Sequence, residues 1–492
     1  MTADPSRSFV YTLLTIGTLA LVSARVARTE FVFEPSMYRA PGDTSPDAPP
    51  RDWPKCRPTP MPTFSSNDRS RWCTVRALVD HGTFVIGHRD VEPDDPDEYY
   101  DRGIVFEDGW QTVDKVLNPQ TLDFYSSKPP LLTLLTAGEY WCLKRAFGWT
   151  ITGDPNKVVK TILITFNVIP LAIYLLMLRR LLEEFAATEW ARFFLFAVAC
   201  FGTYITTFAV SLNNHTPAAV TALVAVYPFL TAVPAGQRWG RIPLPPLPSN
   251  AQLIIAGFFA GLTACLELPA LAFLAAQAIA IFLRRPLRSL LFVVPALLVF
   301  SSEFGLNYIA VSEWWPIYGK VGSVWYRYPG SHWLKQSGID AARLHESIFA
   351  YIFHCLIGHH GLFSLTPIWL ISFAGMIRGT RDVFRNDAGI TAMSFLQPLM
   401  LAVSVVVIGF YLVTSTNYGG WTSGLRWLFW LTPLWLLMAQ PAADRLAGSP
   451  WGRRLAYAAL AVSVFSASYP VWNPWRHPWL YQLCESQGWV RY

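Results

Sequence analysis

Long apolar stretches alternate with short polar connections along most of this chain, and two much longer polar segments interrupt the pattern. Most of the apolar stretches have the length needed to cross a hydrocarbon core about 30 Å thick. They predict an all-α polytopic membrane protein with about eleven transmembrane helices. The predicted spans are 9–26, 158–178, 190–211, 215–234, 251–267, 269–283, 288–311, 361–377, 391–413, 424–440 and 454–471.

Two of these assignments have alternatives. Residues 9–26 end in "VSA" before Arg25, which resembles the small-residue site of a cleaved signal. The many spans that follow favour an uncleaved first helix. Pro269 separates two short runs, which form either a tight helical pair or one bent helix.

Composition supports a membrane protein. Of the 492 residues, 52% are hydrophobic and 15% are charged, whereas soluble proteins carry about 25% charged residues. The net charge of +6 does not indicate nucleic acid, because Lys and Arg cluster at the ends of apolar runs without a basic, aromatic-rich stripe. The seven cysteines lack CxxC spacing, although Cys56 and Cys73 could pair in an oxidising compartment.

Arginine clusters set the predicted orientation. They occur in every second connection, which the positive-inside rule places in the cytoplasm. The clusters are Arg179/Arg180/Arg192, Arg238/Arg241, Arg284/Arg285/Arg288, Arg378/Arg381/Arg385 and Arg445/Arg453/Arg454. The alternate turns contain no Lys or Arg, so the N-terminus is expected inside and both long polar segments outside.

The predicted organisation follows from this orientation. It comprises a first helix (1–26), a large extracytoplasmic loop with interfacial helices (27–157), helices 2–7 (158–311), a second extracytoplasmic loop (312–360), helices 8–11 (361–471) and an extracytoplasmic tail (472–492). Residues 129–147 contain Glu139, Lys144 and Arg145, so we expect an amphipathic helix along the interface rather than a span.

The chemistry, if there is any, is expected on the outer face. No GxxxxGK[ST] or GxGxxG motif occurs on the cytoplasmic side, which argues against a nucleotide-driven pump. The acidic stretch Asp90–Gly103 has no EF-hand spacing and is predicted to be a solvated insertion.

Two polar residues in the first loop are candidates for a site. A helix-like pattern from Arg71 to Leu78 places Asp68 near a helix N-terminus, where the dipole would keep it ionised. Asp68 is equally explained as a helix cap. Lys128 precedes two prolines, so a stiff backbone presents an ammonium suited to a lipid phosphate. A lysine snorkelling at the interface is the alternative.

The later outer turns add further candidates. Tyr418 and Trp421 flank a double-glycine hinge, and Arg426 begins the next span, where an arginine usually faces a polar cavity. His215 and Glu267 lie at two other turns and could ligate a divalent cation, but two ligands without a third do not define a metal site, and both could be packing residues. The second loop supplies basic groups for an anionic pocket: Lys320, Arg327, His332, His345, His359 and His360.

Together these motifs resemble the GT-C superfamily of membrane glycosyltransferases, especially its protein O-mannosyltransferase and lipid A aminoarabinose transferase branch. The matching segments are "DRSRW" (68–72), "SSKPPLL" (126–132), "GLFSLTP" (361–367) and "GGWTSGLRW" (419–427), in the family's order along nearly the whole chain.

The resemblance implies inverting transfer from a polyprenyl-phosphate sugar to a hydroxyl of a protein, lipid or glycan at the outer face of the cytoplasmic membrane. Asp68 would be the general base, Lys128 would hold the donor phosphate, and Arg426 would assist. We group Arg71, Lys320 and Arg327 with the phosphate ligands, and His215, Glu267, Tyr418, Trp421 and His332 as further polar site residues. Polyprenyl lipid, acceptor and membrane lipids are the expected partners, and whether a divalent cation takes part stays open.

The sequence departs from that branch at three positions. Ser127 stands where an acid often precedes the lysine, Arg69 stands where relatives often have Glu, and Glu267 occupies a turn that often carries a basic residue. A changed donor, a changed acceptor or a degenerate site would fit these differences. A lipid-linked sugar transporter or flippase and an inactive scaffold of the same fold are therefore kept as alternatives.

Overall fold

The computed structural model describes residues 5–29, 38–39, 42–46, 48, 51–52, 63, 65–92, 94–107, 109–232, 247–334, 336, 338–385 and 391–492. Cys56, Arg238 and Arg241 fall outside the described residues, so the predictions that rest on them stay untested. The Sγ of Cys73 is a buried thiol that lies 3.4 Å from the carbonyl oxygen of Trp110.

Helices make up most of the described chain, as predicted. Up to residue 311 they are α1 (Pro5–Ala27), α2 (Ser66–Arg76), α3 (Pro130–Phe147), α4 (Pro155–Leu163), α5 (Ile169–Phe185), α6 (Glu189–Phe201), α7 (Tyr204–Phe208), α8 (His215–Thr231), α9 (Asn250–Leu266), α10 (Leu271–Arg284) and α11 (Pro286–Val311). Beyond it they are α12 (Ala342–His345), α13 (Ile348–Leu356), α14 (Leu362–Leu365), α15 (Trp369–Arg385), α16 (Ala392–Thr414), α17 (Thr432–Met438), α18 (Gln440–Ala447), α19 (Pro450–Ser468) and α20 (Trp479–Ser486).

Five helical stretches are long and apolar enough to cross a membrane. They are Pro5–Ala27, Pro155–Phe185, Glu189–Phe208, Pro286–Val311 and Phe395–Thr414, and shorter apolar helices cover His215–Thr231, Asn250–Leu266 and Leu268–Arg284. The protein is therefore an integral membrane protein, while the number of spans stays a prediction.

The structure divides two of the predicted spans, and at a third place it decides between the two alternatives for residues 251–283. The run 361–377 is divided into α14 and α15 around Thr366, which precedes a proline and is therefore disfavoured in a helix. The run 424–440 begins as a 3₁₀ segment, Arg426–Leu431, before α17. At the third position Glu267 is extended, so α9 and α10 are separate helices rather than one bent helix.

Two glycines explain why α9 and α11 pack tightly. A Cβ on Gly257 would overlap the carbonyl of Phe292, and one on Gly261 would overlap that of Ala296. The two glycines are four residues apart on one face of α9, and such small residues let helix backbones approach closely within a membrane. Glu267, which follows the last residue of α9, and Glu303 of α11 are both buried.

The first polar segment contains a sheet that the sequence analysis did not predict. Strands β3 (Gly87–Glu92), β4 (Asp95–Arg102), β5 (Lys115–Leu117) and β6 (Asp123–Ser126) form an antiparallel sheet in the order β4-β3-β6-β5, while β1 (Tyr38–Arg39) and β2 (Arg51–Asp52) form a short parallel pair.

The acidic stretch expected as a solvated insertion thus forms an ordered hairpin, β3–β4. Asp90 pairs with Arg102 at 2.5 Å and Arg89 pairs with Asp101 at 2.7 Å across the two strands. Opposite charges facing each other across a ladder stabilise it, which explains why a segment so rich in acids pairs as strands.

Helix α3 covers the region that the sequence predicts to lie along the interface. It buries one face, including Leu132, Thr136 and Tyr140. The hydroxyl of Tyr140 and the ammonium of Lys144 both donate to Asp80, at 3.1 and 2.7 Å. α3 is not among the five long apolar helices, and its orientation to the membrane stays a prediction.

Candidate functional site

Helix α2 carries Asp68 and Arg71 into a buried position. The helix begins at Ser66, earlier than the pattern from Arg71 to Leu78 predicts, and Asp68 lies in its first turn with 0% of its surface exposed. The hydroxyl of Ser65 donates to Asp68 Oδ1 at 2.7 Å. Residues 68 and 71 share a face because they are three positions apart, so the acid and the guanidinium belong to one surface of the helix.

Arg71 joins the first polar segment to the helical core. Its Nη1 donates to Asn67 Oδ1 at 2.9 Å and its Nη2 to Asn214 Oδ1 at 2.7 Å. Asn214 in turn donates to Glu267 Oε1 at 2.8 Å. Burial lowers the pKa of Arg71 to about 10, and the neighbouring Asp114 opposes this shift. The guanidinium therefore remains charged at neutral pH with amide and carbonyl oxygens as its hydrogen-bond acceptors.

Arg426 reaches the same cluster from the other end of the chain. Its Nε donates to the carbonyl of Gly419 at 3.2 Å, its Nη1 lies 3.5 Å from His215 Nε2, and its guanidinium stacks on Trp475 at 4.9 Å. The other ring nitrogen of His215, Nδ1, is hydrogen-bonded to Glu267 Oε1. His215, Glu267, Arg71 and Arg426, which the sequence analysis selected separately, thus form one connected network.

Lys128 is partly buried and forms an ion pair. Its side chain is 16% exposed, and its Nζ donates to Asp114 Oδ1 at 2.7 Å. Burial lowers the pKa of Lys128 to about 8, Asp114 acts in the opposite direction, and the positive charges of Arg71 and Arg426 lower it further. Three cations are therefore close enough to influence one another.

Asp114 is the functional residue that the sequence analysis missed. Its charge acts on Arg71, Lys128 and Arg426 alike. In the ladder between β5 and β6, Lys115 pairs with Ser126, and the amide of Ser127 donates to the carbonyl of Asp114. Asp114, which directly precedes β5, therefore lies beside Ser127 and Lys128. The segment "VDKVL" does not alternate between apolar and polar residues, so it carries no periodic signal that could have located Asp114.

A shallow open cleft lies beside the Lys128 side chain. It lies between the first polar segment and α11. Its lining includes Thr74, Tyr125, Ser126, Lys128, Thr133, Asn307 and Tyr318. Glu303 of α11 accepts a hydrogen bond from the amide of Leu131 at 3.3 Å, at the first turn of α3. Of the three cations, Lys128 is the one that lines this cleft.

The remaining predicted site residues have other partners. Lys320 pairs with Glu313 at 2.8 Å, and Arg327 is exposed. His332 lies 3.3 Å from Asp340, whose hydrogen bond raises the pKa of the imidazole. The Tyr418 hydroxyl donates to Glu346, and Trp421, 62% exposed, packs on His477. In the described part of the chain, none of these side chains forms a hydrogen bond to the cation cluster. Their assignment to the phosphate ligands and polar site residues therefore stays a prediction.

His215 and Glu267 do not form a metal site by themselves. Their side chains are hydrogen-bonded to each other, and Asn214 donates a hydrogen bond to Glu267. Within the described ranges, no third carboxylate, imidazole or thiol joins them as a ligand group.

The architecture is that of a polytopic membrane protein with the GT-C fold, as the sequence predicted. The chain is similar to the apo structure of ArnT from Cupriavidus metallidurans, with a TM-score of 0.51 and 14% identity over 95% of this chain and 65% of that one. The chain thus spans less than two thirds of that protein.

Two further solved structures were matched. ArnT from the same organism bound to undecaprenyl phosphate gives a TM-score of 0.46 and 13% identity, covering 94% of this chain and 64% of that one. AglB, an oligosaccharyltransferase from Archaeoglobus fulgidus, in complex with an inhibitory peptide and a dolichol-phosphate, gives 0.49 and 12%, covering 96% and 57%. No protein-family model matches the sequence, and no curated protein does.

Proposed function

We propose that this protein is an inverting glycosyltransferase that moves a sugar from a polyprenyl-phosphate donor to an acceptor hydroxyl at the outer face of the cytoplasmic membrane. The observation that carries the proposal is the cluster of three cations, the buried Arg71 and the partly buried Lys128 and Arg426. Lys128 lines a cleft, and Arg71 lies one helical turn from a buried carboxylate, Asp68. The fold shared with a glycosyltransferase superfamily supports the same reaction class.

The cations are suited to a phosphate because two of them have no carboxylate hydrogen-bond partner among the residues that the structure describes. The hydrogen bonds of Arg71 go to Asn67 and Asn214, and those of Arg426 go to Gly419 and the His215 ring. Buried charge is costly unless it is paired. An anionic headgroup would compensate both guanidiniums, and Lys128 would add a point charge to the same phosphate.

This arrangement matches the charge that develops during the transfer. The acceptor oxygen bonds to the anomeric carbon, the bond from that carbon to the phosphate oxygen breaks, and polyprenyl phosphate leaves as an anion. Cations already fixed at the phosphate stabilise this leaving group. Asp68 would take the proton of the acceptor hydroxyl as general base, and Ser65, which donates to its Oδ1, would orient the carboxylate.

Binding of the lipid phosphate is the first test. The full chain, purified in detergent, is titrated with undecaprenyl phosphate or dolichyl phosphate, and so are the variants Lys128→Ala and Lys320→Ala. Lys320 is a matched control because it is a lysine paired with an acid outside the cluster. We expect Lys128→Ala to weaken binding about 10- to 100-fold, the value of one charge-assisted hydrogen bond, and Lys320→Ala to leave it unchanged.

Equal affinity in the two variants would remove Lys128 from the phosphate site, and no binding by the wild type would overturn the proposal. Saturable binding without any turnover of lipid-linked sugar would instead favour the transporter or the inactive scaffold. A transporter usually has paired broken helices near the membrane midplane.

Membrane orientation has its own test. A cysteine is introduced at Thr150, between α3 and α4, in a variant without the exposed Cys142. We expect a membrane-impermeant thiol reagent to label it only from the outer side. Labelling only from the cytoplasm would mean that α3 spans the membrane.

A further inference from the structure

A second cluster of ligand-type side chains lies outside the cation cluster. It consists of Glu346, which follows α12, His354 on α13, and His359 in the turn after α13. One ligand atom from each of the three lies within 4.8 Å of the others. His359 is 1% exposed, and the side chains of Glu346 and His354 are 14% and 19% exposed. The group is therefore largely shielded from water.

The geometry of the imidazoles favours a shared ligand. The rings of His354 and His359 stack with their centroids 4.0 Å apart, and His354 Nε2 lies 4.0 Å from Glu346 Oε1. The Nδ1 of His354 is buried and has no hydrogen-bond partner among the described residues.

Two tyrosines complete the surroundings of the carboxylate. The Tyr492 hydroxyl donates to Glu346 Oε1 and lies 2.8 Å from His359 Nε2, so it lies between two of the three candidate ligands. The Tyr418 hydroxyl donates to Glu346 Oε2. Such partners fix the orientation of a ligating carboxylate, as outer-shell groups do in metalloproteins.

We propose that Glu346, His354 and His359 bind one zinc ion, with water or the Tyr492 hydroxyl in the fourth position. Two imidazoles and one carboxylate are ligands that zinc accepts in tetrahedral sites with a fourth, non-protein position. The same ligands suit zinc better than Mg²⁺ or Ca²⁺, which prefer oxygen donors. This inference does not depend on the proposed transferase activity.

The position of the site indicates a structural role. The ion would connect α13 to the turn at Tyr418 and to the chain near Tyr492 through the hydroxyls on Glu346. Tyr418 directly precedes Gly419, whose carbonyl accepts the hydrogen bond from Arg426 Nε. A zinc ion here would therefore hold the backbone turn that positions one of the three cations.

Metal content and zinc affinity test the proposal directly. The full chain, freed of any histidine tag and treated with a chelator, is titrated with Zn²⁺ in competition with a chromophoric chelator, and bound metal is counted by mass spectrometry. We expect about one zinc per chain. Glu346→Gln and His354→Asn should each weaken binding by at least about 100-fold, beyond the 10–100-fold cost of losing an outer-shell partner.

His345→Asn is the matched control, because His345 is an exposed neighbour of Glu346 with no place in the cluster. Glu346→Gln keeps the side-chain shape, so its melting temperature without metal reports whether the variant folds. Zinc should raise the melting temperature of the wild type and of His345→Asn but not that of Glu346→Gln. Absence of stoichiometric zinc in the wild type, or full binding by both ligand variants, would overturn the proposal.

Discussion

The pKa of Lys128 makes lipid-phosphate binding sensitive to mildly alkaline pH. An ordinary lysine stays charged up to about pH 10, whereas the partly buried ammonium of Lys128 has a pKa of about 8 in the folded protein. Deprotonation removes the charge that attracts the phosphate. Affinity should therefore be full below pH 7 and fall as the pH rises through 8.

The magnitude follows from the titration. With a pKa of about 8, roughly nine-tenths of the Lys128 side chains are charged at pH 7 and roughly one-tenth at pH 9. If only the charged form binds, Kd rises about tenfold between these values and about tenfold more by pH 10. The second ionisation of a phosphate monoester, with a pKa of about 6, is nearly complete at pH 7, so the ligand contributes little to this change.

The assay is a titration of the detergent-solubilised protein with undecaprenyl phosphate at several values between pH 7 and pH 10. Lys128→Arg is the decisive comparison between pH 7 and pH 9, because an arginine at position 128 stays charged there and Arg71, with a pKa of about 10, loses charge only above this range. The affinity of the variant at pH 7 can differ from that of the wild type, but its pH dependence between pH 7 and pH 9 should disappear. A wild-type Kd that is constant up to pH 9.5, or an equal slope in Lys128→Arg, would refute the assignment of this charge to the phosphate.

Three further outcomes are expected. Asp68→Asn should reduce sugar transfer by about 100-fold or more, the contribution of a general base, without weakening lipid-phosphate binding; unimpaired transfer would remove Asp68 from the mechanism. Gly257→Leu should lower the melting temperature by forcing α9 away from the Phe292 carbonyl, whereas Gly305→Leu, where nothing lies within 4 Å of an added Cβ, should not. Asn214→Leu should cost about 1–3 kcal/mol of unfolding free energy, because Arg71 and Glu267 lose a buried partner; an unchanged melting temperature would contradict this.

The helical framework and most of the cation cluster were predictable from the sequence for one physical reason. Charged groups among apolar residues are costly, and they lower that cost by converging on a shared polar cavity. Lys128, Arg426, His215 and Glu267 were selected because each is a polar residue at the end of an apolar run. The structure brings them together with Arg71, which the resemblance rather than the hydrophobic pattern suggested.

The residues that the sequence did not reveal depend on pairing between distant segments. Asp114 meets Lys128 only because β5 pairs with β6, and strands of three and four residues give almost no periodic signal. Lys320 and Arg327 are a second case, and their place in a phosphate site stays a prediction. They were grouped by composition alone. Composition does not show that the Lys320 ammonium forms an ion pair with Glu313, seven residues earlier in the sequence.

The helical backbone is irregular at the candidate site. Side chains of the site donate hydrogen bonds to the backbone carbonyls that this irregularity leaves free. Glu267 interrupts the path from α9 to α10, and Asn214 donates to the freed carbonyl of Leu266 at 2.8 Å while it also holds Glu267. Arg426 similarly donates to the carbonyl of Gly419 in the turn before α17. Irregular backbone at membrane depth persists only where protein groups or a water-filled cavity satisfy it. Replacing Asn214 or Arg426 would therefore remove a polar group of the candidate site and a hydrogen bond to a backbone carbonyl at the same time. The polar groups of the site and the breaks between its helices thus depend on the same residues.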